Sequence, residues 1–323
     1  MLPNHLLQER LSALLRERQL PSAPENLYRP IEYFMGIGGK RIRPLLCLVG
    51  CQMFSDEVEK AFAPALAVEY FHNFSLLHDD VMDHAPLRRG VETVHVKYGL
   101  NVAILSGDAM LVKAYQYLSE SETGLSDLVR LFTKTALEVC EGQQYDMDFE
   151  TRNDVSIAEY LLMIELKTAV LLAAALGMGA IVGGASAVDV EHLYGFGKNI
   201  GIAFQLQDDL LDTFGNPESF GKQVGGDILQ NKKTYLLLKA LETADVGRLE
   251  RLSYWMNADV DAPDVKVREV KSIFESLHIQ EATEAIIQTY YQEAFSLLNK
   301  INVEQIRKQP LVELAEQLMF RQF

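Results

Sequence analysis

The chain has 323 residues, 48% of them apolar, with a net charge of −15 at pH 7 and a pI near 4.9. That length and composition suffice for one large core or two smaller ones, while the acidity excludes an extended nucleic-acid-binding surface. The three cysteines, Cys47, Cys51 and Cys140, are odd in number and form no CxxC pair; this excludes a disulfide framework or zinc site and predicts buried thiols in a reducing compartment, the cytoplasm.

Strict period-2 alternation is scarce and 3.6-residue apolar spacing recurs, so the pattern predicts an all-α protein. The first 20 residues carry charges throughout and lack an apolar h-region, which reads as an amphipathic helix rather than a signal peptide. Pro21, Pro24 and Pro30 predict a connecting segment over residues 21–30. GIGGKRIRPLL follows. Gly38 and Gly39 permit unusual backbone angles, Lys40, Arg41 and Arg43 supply charge, and Pro44 suits a first helical turn. This is either a phosphate site at a helix N-terminus or a solvated basic turn.

Apolar spacing predicts a helix from about Glu57 to Val81, leading into HDDVMDHAPLRRG. Helical geometry puts Asp79 and Asp83 on one face, where like charges repel and hard oxygen ligands favour magnesium. His72 lies about two turns earlier on a similar face. Arg88 and Arg89 follow, suited either to salt bridges with the aspartates or to gripping a diphosphate.

Gly107-Asp108-Ala109 predicts close helix packing, and Gly142-Gln143 with Asp146 is a polar patch in a helical segment. Thr168 to Val188 is uncharged and long enough in principle to span a membrane, but its alanines and glycines favour a buried helix and no stable membrane insertion. Lys167 and Thr168 enter that apolar helix and need polar partners, a role a bound phosphate would fill. FQLQDDLLD then repeats the aspartate pattern with Asp208, Asp209 and Asp212. The Gly-rich stretch beyond it carries Lys222, Lys232 and Lys233 and reads as a closing lid. Further helices follow Thr234, with Pro263 and Pro310 as breaks.

Magnesium takes a few carboxylates and lets substrate phosphates complete its shell. Two facing DDxxD helices with phosphate-binding cations therefore imply departure of a diphosphate, with metal as Lewis acid. No Cys–His pair or Ser triad accompanies them.

GGKRIRP, LLHDDVMDHAPLRRG, the Lys167-Thr168 pair and FQLQDDLLD with its Lys-bearing loop resemble the trans-polyprenyl diphosphate synthases, in that family's order. The resemblance implies a single polyprenyl synthetase domain over 1–323 with the isoprenoid synthase fold, a helical bundle around a central cavity. It implies three Mg²⁺ ions, a homodimer, and condensation of isopentenyl diphosphate with an allylic diphosphate. Asp79 and Asp83 are similar to ligands on one side, Asp208 and Asp212 opposite, with Asp80 and Asp209 in support. Asp79, Asp83, Asp208, Lys167 and Thr168 are the implied catalytic set. Arg88, Lys167, Thr168, Gln205, Lys222 and Lys232 would hold the allylic diphosphate; Lys40, Arg43, His72 and Arg89 would hold isopentenyl diphosphate.

Phe74, five residues before Asp79, with Phe71 on the same stripe and small Ser75 beside it, resembles the chain-length floor of short-chain members. That pattern leans to a C20 product, with a C15 farnesyl product as the alternative; Phe74 as ordinary core is the plain reading. Three rivals remain: a class I terpene cyclase, whose second motif usually lacks DDxxD; a His-Asp phosphohydrolase using His78-Asp79 with His72 or His84; and a non-catalytic partner subunit, which would have lost motif residues.

Overall fold

The computed structural model describes residues 1–215, 225–257 and 263–319. In chain order the helices are α1 (Asn4–Glu17), α2 (Glu25–Gly36), α3 (Ile42–Gln52), α4 (Phe62–Met82, preceded by a 3-10 turn), α5 (Val94–Tyr98), α6 (Leu100–Ser119), α7 (Leu125–Thr151) and α8 (Ile157–Ile164). They continue as α9 (Val170–Gly183), α10 (Ala187–Phe214), α11 (Gly226–Leu229), α12 (Tyr235–Thr243), α13 (Val246–Asn257), α14 (Pro263–Ser276), α15 (Ile279–Lys300) and α16 (Gln305–Met319). Among the described residues, β structure is confined to one hairpin, Leu87–Arg88 paired antiparallel with Val91–Glu92. The all-α expectation is met.

The chain forms two compact units. The first comprises Met1–Ala136, Ala174–Tyr194 and Ile301–Val312. Its core includes Leu45, Leu48, Leu66, Phe71, Met110 and Phe132, all nearly inaccessible. Here α4 packs along α6, and Gly107 is the reason the two approach closely: a β-carbon there would collide with the His78 ring. The apolar run after Thr168 is likewise explained by packing. A β-carbon at Gly50 or Gly179 would strike the backbone of Leu176 or Cys47, so α3 and α9 meet backbone to backbone. Residues Ile157–Gly183 are apolar enough to cross a membrane by length and composition, and 67% of the most apolar window is buried in the protein.

The second unit comprises Leu137–Ala173, Gly195–Lys300 and Glu313–Phe323. Its core gathers Ile164, Ile202, Leu206, Leu236, Leu252 and Phe274. Ser156 opens α8 with a reciprocal capping box to Glu159. Between α8 and α9 the helix widens into a π-turn over Glu165–Ala169, which contains Lys167 and Thr168. Such single-turn bulges redirect side chains within an otherwise continuous helix.

Two proline readings are corrected. Pro30 and Pro310 each lie six residues into a helix instead of marking a connector or a break. An interior proline costs one backbone hydrogen bond, about 3 kcal/mol. Burial of Pro30 with Ile31 and Phe34 offsets that cost in α2. The connector therefore ends at Pro24, whereas Pro263 opens α14 as helix-starting prolines do. Cys47 and Cys51 are buried as expected; Cys140 is exposed.

Candidate active site

The first carboxylate group belongs to the first unit. Asp79 lies in the last turn of α4, half-buried, and Asp83 is exposed just beyond the helix, its N–H donating to the Asp79 carbonyl at 2.8 Å. One residue rotates a helix by about 100°, so Asp80 points elsewhere. It is only 2% exposed and accepts from Arg88 Nε at 2.9 and 2.8 Å and Nη2 at 2.7 Å. Arg88 reaches it from the hairpin, whose turn residues Arg89 and Gly90 have φ of 53° and 80°. Paired positive φ values at a two-residue turn suit the twist of the strands.

The same turn sends Arg89 Nη1 to the Gly38 carbonyl, joining RRG to the GGKRIRP loop. Gly39 beneath it has φ of 145°, a backbone conformation that residues with a β-carbon rarely adopt. Lys40 is exposed on this loop. Arg43 Nη1 donates to His72 Nε2 at 3.0 Å, and Arg43 Nε is buried without a hydrogen-bond partner. Burial lowers the Arg43 pKa to about 10, partly opposed by Glu69. Burial first, then the surrounding arginines, hold the His72 imidazole well below its ordinary pKa. His72 is therefore a neutral acceptor at pH 7.

Arg41, Glu69 and Asn73 form a support that the sequence reading missed. Arg41 begins α3 with φ of 50°. Its Nη1 pairs with the buried Glu69 carboxylate and its Nη2 donates to the Met35 carbonyl at 2.5 Å. Asn73 Nδ2 donates to Glu69 Oε1 at 2.7 Å. Only the three-residue and four-residue spacings of Glu69, His72 and Asn73 on α4 hint at this arrangement.

Phe74 is half-buried on α4, its ring centroid 5.5 Å from Phe71 and 4.8 Å from His78. Phe71 is buried and meets Phe132 edge-on at 5.4 Å. Ser75 turns its hydroxyl onto the His72 carbonyl at 2.9 Å.

The second group belongs to the second unit. Lys167 Nζ donates to Asp146 Oδ2 at 2.5 Å, and Thr168 Oγ1 donates to Gln205 Oε1 at 3.3 Å. These protein groups supply the partners that the π-turn demands. Glycines make room for it: a β-carbon at Gly142 would strike the Lys167 backbone nitrogen, and one at Gly201 would sit 2.6 Å from Ala169 Cα. Gln205 Nε2 also donates to Asp209 Oδ1 at 3.1 Å, and the Tyr160 hydroxyl donates to Asp209 Oδ2. Asp209 is 6% exposed, and burial raises its pKa to about 8, with Asp227 and Asp208 adding repulsion.

Asp208 and Asp212 stay half-buried. Asp212 accepts the Asp227 backbone N–H at 2.9 Å, which folds α11 back against the motif. Lys232 pairs with Asp227 at 3.6 Å and donates its backbone N–H to the Asp227 carbonyl at 2.9 Å. Burial raises the Asp227 carboxyl, with Lys232 opposing and Asp212 reinforcing. Asp146 and Asp227 were not singled out as site residues from sequence; the glycines preceding Asp227 were the available signal. Lys222 lies outside the described residues. Among the described residues, no three His, Cys, Asp or Glu converge tightly enough to cage a metal by themselves.

The polyprenyl synthetase family model matches residues 24–276. The geranylgeranyl pyrophosphate synthase of Geoglobus acetivorans is 36% identical over 329 residues, covering 98% of this chain and 96% of that protein. A geranylfarnesyl diphosphate synthase of Natronomonas pharaonis is 42% identical over 244 residues, covering 69% and 71%. A solved geranylgeranyl pyrophosphate synthase structure matches with a TM-score of 0.94 at 45% identity, covering 100% of both chains. With aspartate motifs, cationic loops and overall fold in agreement, the chain belongs to the polyprenyl synthetase family, the trans-polyprenyl diphosphate synthases with the all-α isoprenoid synthase fold.

Proposed function

We propose that this trans-prenyltransferase condenses isopentenyl diphosphate head-to-tail with an allylic diphosphate and releases mainly the C20 product, geranylgeranyl diphosphate. The observation that carries this reading is the end-to-end likeness, at 45% identity, to a geranylgeranyl pyrophosphate synthase structure. A C25 product is the second reading, favoured by the likeness to a geranylfarnesyl diphosphate synthase. In this reading the whole chain acts as one polyprenyl synthetase domain.

Asp79, Asp83, Asp208 and Asp212 would hold three magnesium ions. Their fit rests on hard oxygen donors, two in each motif, beside Asp209, whose pKa burial raises first and the neighbouring Asp227 and Asp208 raise further. Magnesium takes one or two carboxylates and keeps water and substrate phosphate in the rest of its shell. Magnesium, when bound, supplies Lewis-acid stabilisation of the departing diphosphate. Asp80 fixes Arg88, and Asp209 fixes Gln205. Arg88, Lys167, Thr168, Gln205, Lys222 and Lys232 hold the allylic diphosphate. Lys40, Arg43, His72 and Arg89 hold isopentenyl diphosphate, with neutral His72 orienting Arg43. Phe74 limits the growing tail, and apolar walls keep water from the allylic cation.

A homodimer is the proposed assembly. Exposed Leu100, Ile104, Leu105 and Val112 of α6, with Leu125 and Val129 of α7, support it. The three free cysteines support a reducing, cytoplasmic setting.

The test is product analysis with isopentenyl diphosphate and C5, C10 or C15 primers. A dominant C20 product is expected. A C15 or C25 product would replace the chain-length assignment, and hydrocarbon from a single prenyl diphosphate would indicate a cyclase.

A further inference from the structure

Lys266, on α14, is 6% exposed, and its ammonium donates to Asn231 Oδ1 at 2.8 Å. Burial lowers its pKa. An ammonium so placed is costly unless it is hydrogen-bonded, and the Asn231 amide oxygen supplies that bond. Asn231 has φ of 53° and donates Nδ2 to the Met256 carbonyl at 2.9 Å. Asn tolerates this left-handed conformation better than most residues. It is here that the chain reverses, so that the next residue, Lys232, returns its backbone N–H to Asp227. A small cavity lined by Thr213, Asp227, Asn231, Lys232 and Lys266 connects these groups.

We infer that Lys266 and Asn231 are positioning residues for the allylic diphosphate: the Asn231 side chain, held by Lys266 and by its bond to the Met256 carbonyl, fixes the reversal that presents Lys232 beside Asp227. This rests on the reading of Lys232 as a diphosphate-holding residue.

The test is steady-state kinetics of the full-length enzyme with the C15 allylic primer and isopentenyl diphosphate. Lys266→Met should raise the KM for the allylic substrate about tenfold and leave the KM for isopentenyl diphosphate unchanged. Lys266→Arg, which keeps a donor, should recover most of the loss. Added to Lys232→Ala, Lys266→Met should cost less than about twofold more. Should Lys266→Met fail to fold, Asn231→Gly carries the same test, because glycine accepts the backbone angle without the side chain. Effects that multiply with those of Lys232→Ala, or a lower kcat with both KM values unchanged, overturn the inference. If Lys232→Ala raises the allylic KM while Lys266→Met and Asn231→Gly do not, only the positioning role fails. If Lys232→Ala leaves that KM unchanged, the reading of Lys232 fails first and this inference with it.

Discussion

The Arg88 guanidinium straddles the Asp80 carboxylate, with Nε at 2.8 and 2.9 Å and Nη2 at 2.7 Å. The middle aspartate of the first motif is thus spent on holding an arginine, while Asp83 stands exposed. Removing one member of a buried pair strands the other, so Asp80→Asn should cost about 3 kcal/mol in denaturant unfolding. Asp83→Asn should stay within about 0.5 kcal/mol of the parent yet lose most magnesium-dependent turnover. Full turnover in Asp83→Asn would remove that residue from the proposed metal set.

Gly142 allows α7 to approach the π-turn bearing Lys167 and Thr168. An added methyl cannot be accommodated by a rotamer change, because it meets backbone. Gly142→Ala should destabilise the protein by about 1–3 kcal/mol, and the allylic KM should rise as the turn shifts. An unchanged melting temperature would show that the backbone yields there at no cost.

Phe74 sits one helical turn above Phe71, with its ring 5.5 Å from that residue's ring. If it forms the floor beneath the growing tail, Phe74→Ala should shift products toward longer chains, as read by reversed-phase chromatography. Phe71, in ring contact with Phe74, is itself buried against Phe132, so elongation should remain limited. An unchanged distribution would return Phe74 to the core.

His72 gives a pH signature in stability. Its folded pKa lies below the ordinary value, chiefly through burial and then through Arg43, Arg88, Arg89 and Arg41. The unfolded state therefore binds the proton more readily. The stability linked to neutral His72 is fully present above about pH 6.5 and is lost as pH falls toward the folded pKa. His72→Asn should flatten the fall of melting temperature below about pH 6.5. A slope equal to the parent's would assign the acid sensitivity to other groups.

Much of this was legible in the chain because it rests on short spacings. The i, i+4 relation of Asp79 and Asp83 and the basic GGKRIRP and RRG runs are local features, and helical periodicity identified the fold class. Pro30 and Pro310 misled, because local propensity weighs the lost hydrogen bond but not the burial that offsets it. The hairpin carrying Arg88 was also unforeseen: its strands are two residues long, too short for any periodicity.

The amino-acid order alone determined which carboxylates and cations the protein possesses, their spacing along helices, and through them the family. Only tertiary packing decided which of those charges turn inward. Asp209 meets Tyr160 from 49 positions away, Lys167 meets Asp146 from 21, and Arg41 meets Glu69 from 28. Helical geometry fixes the direction of a side chain relative to its neighbours, but the segment that comes to lie against it depends on how distant helices bury their apolar faces.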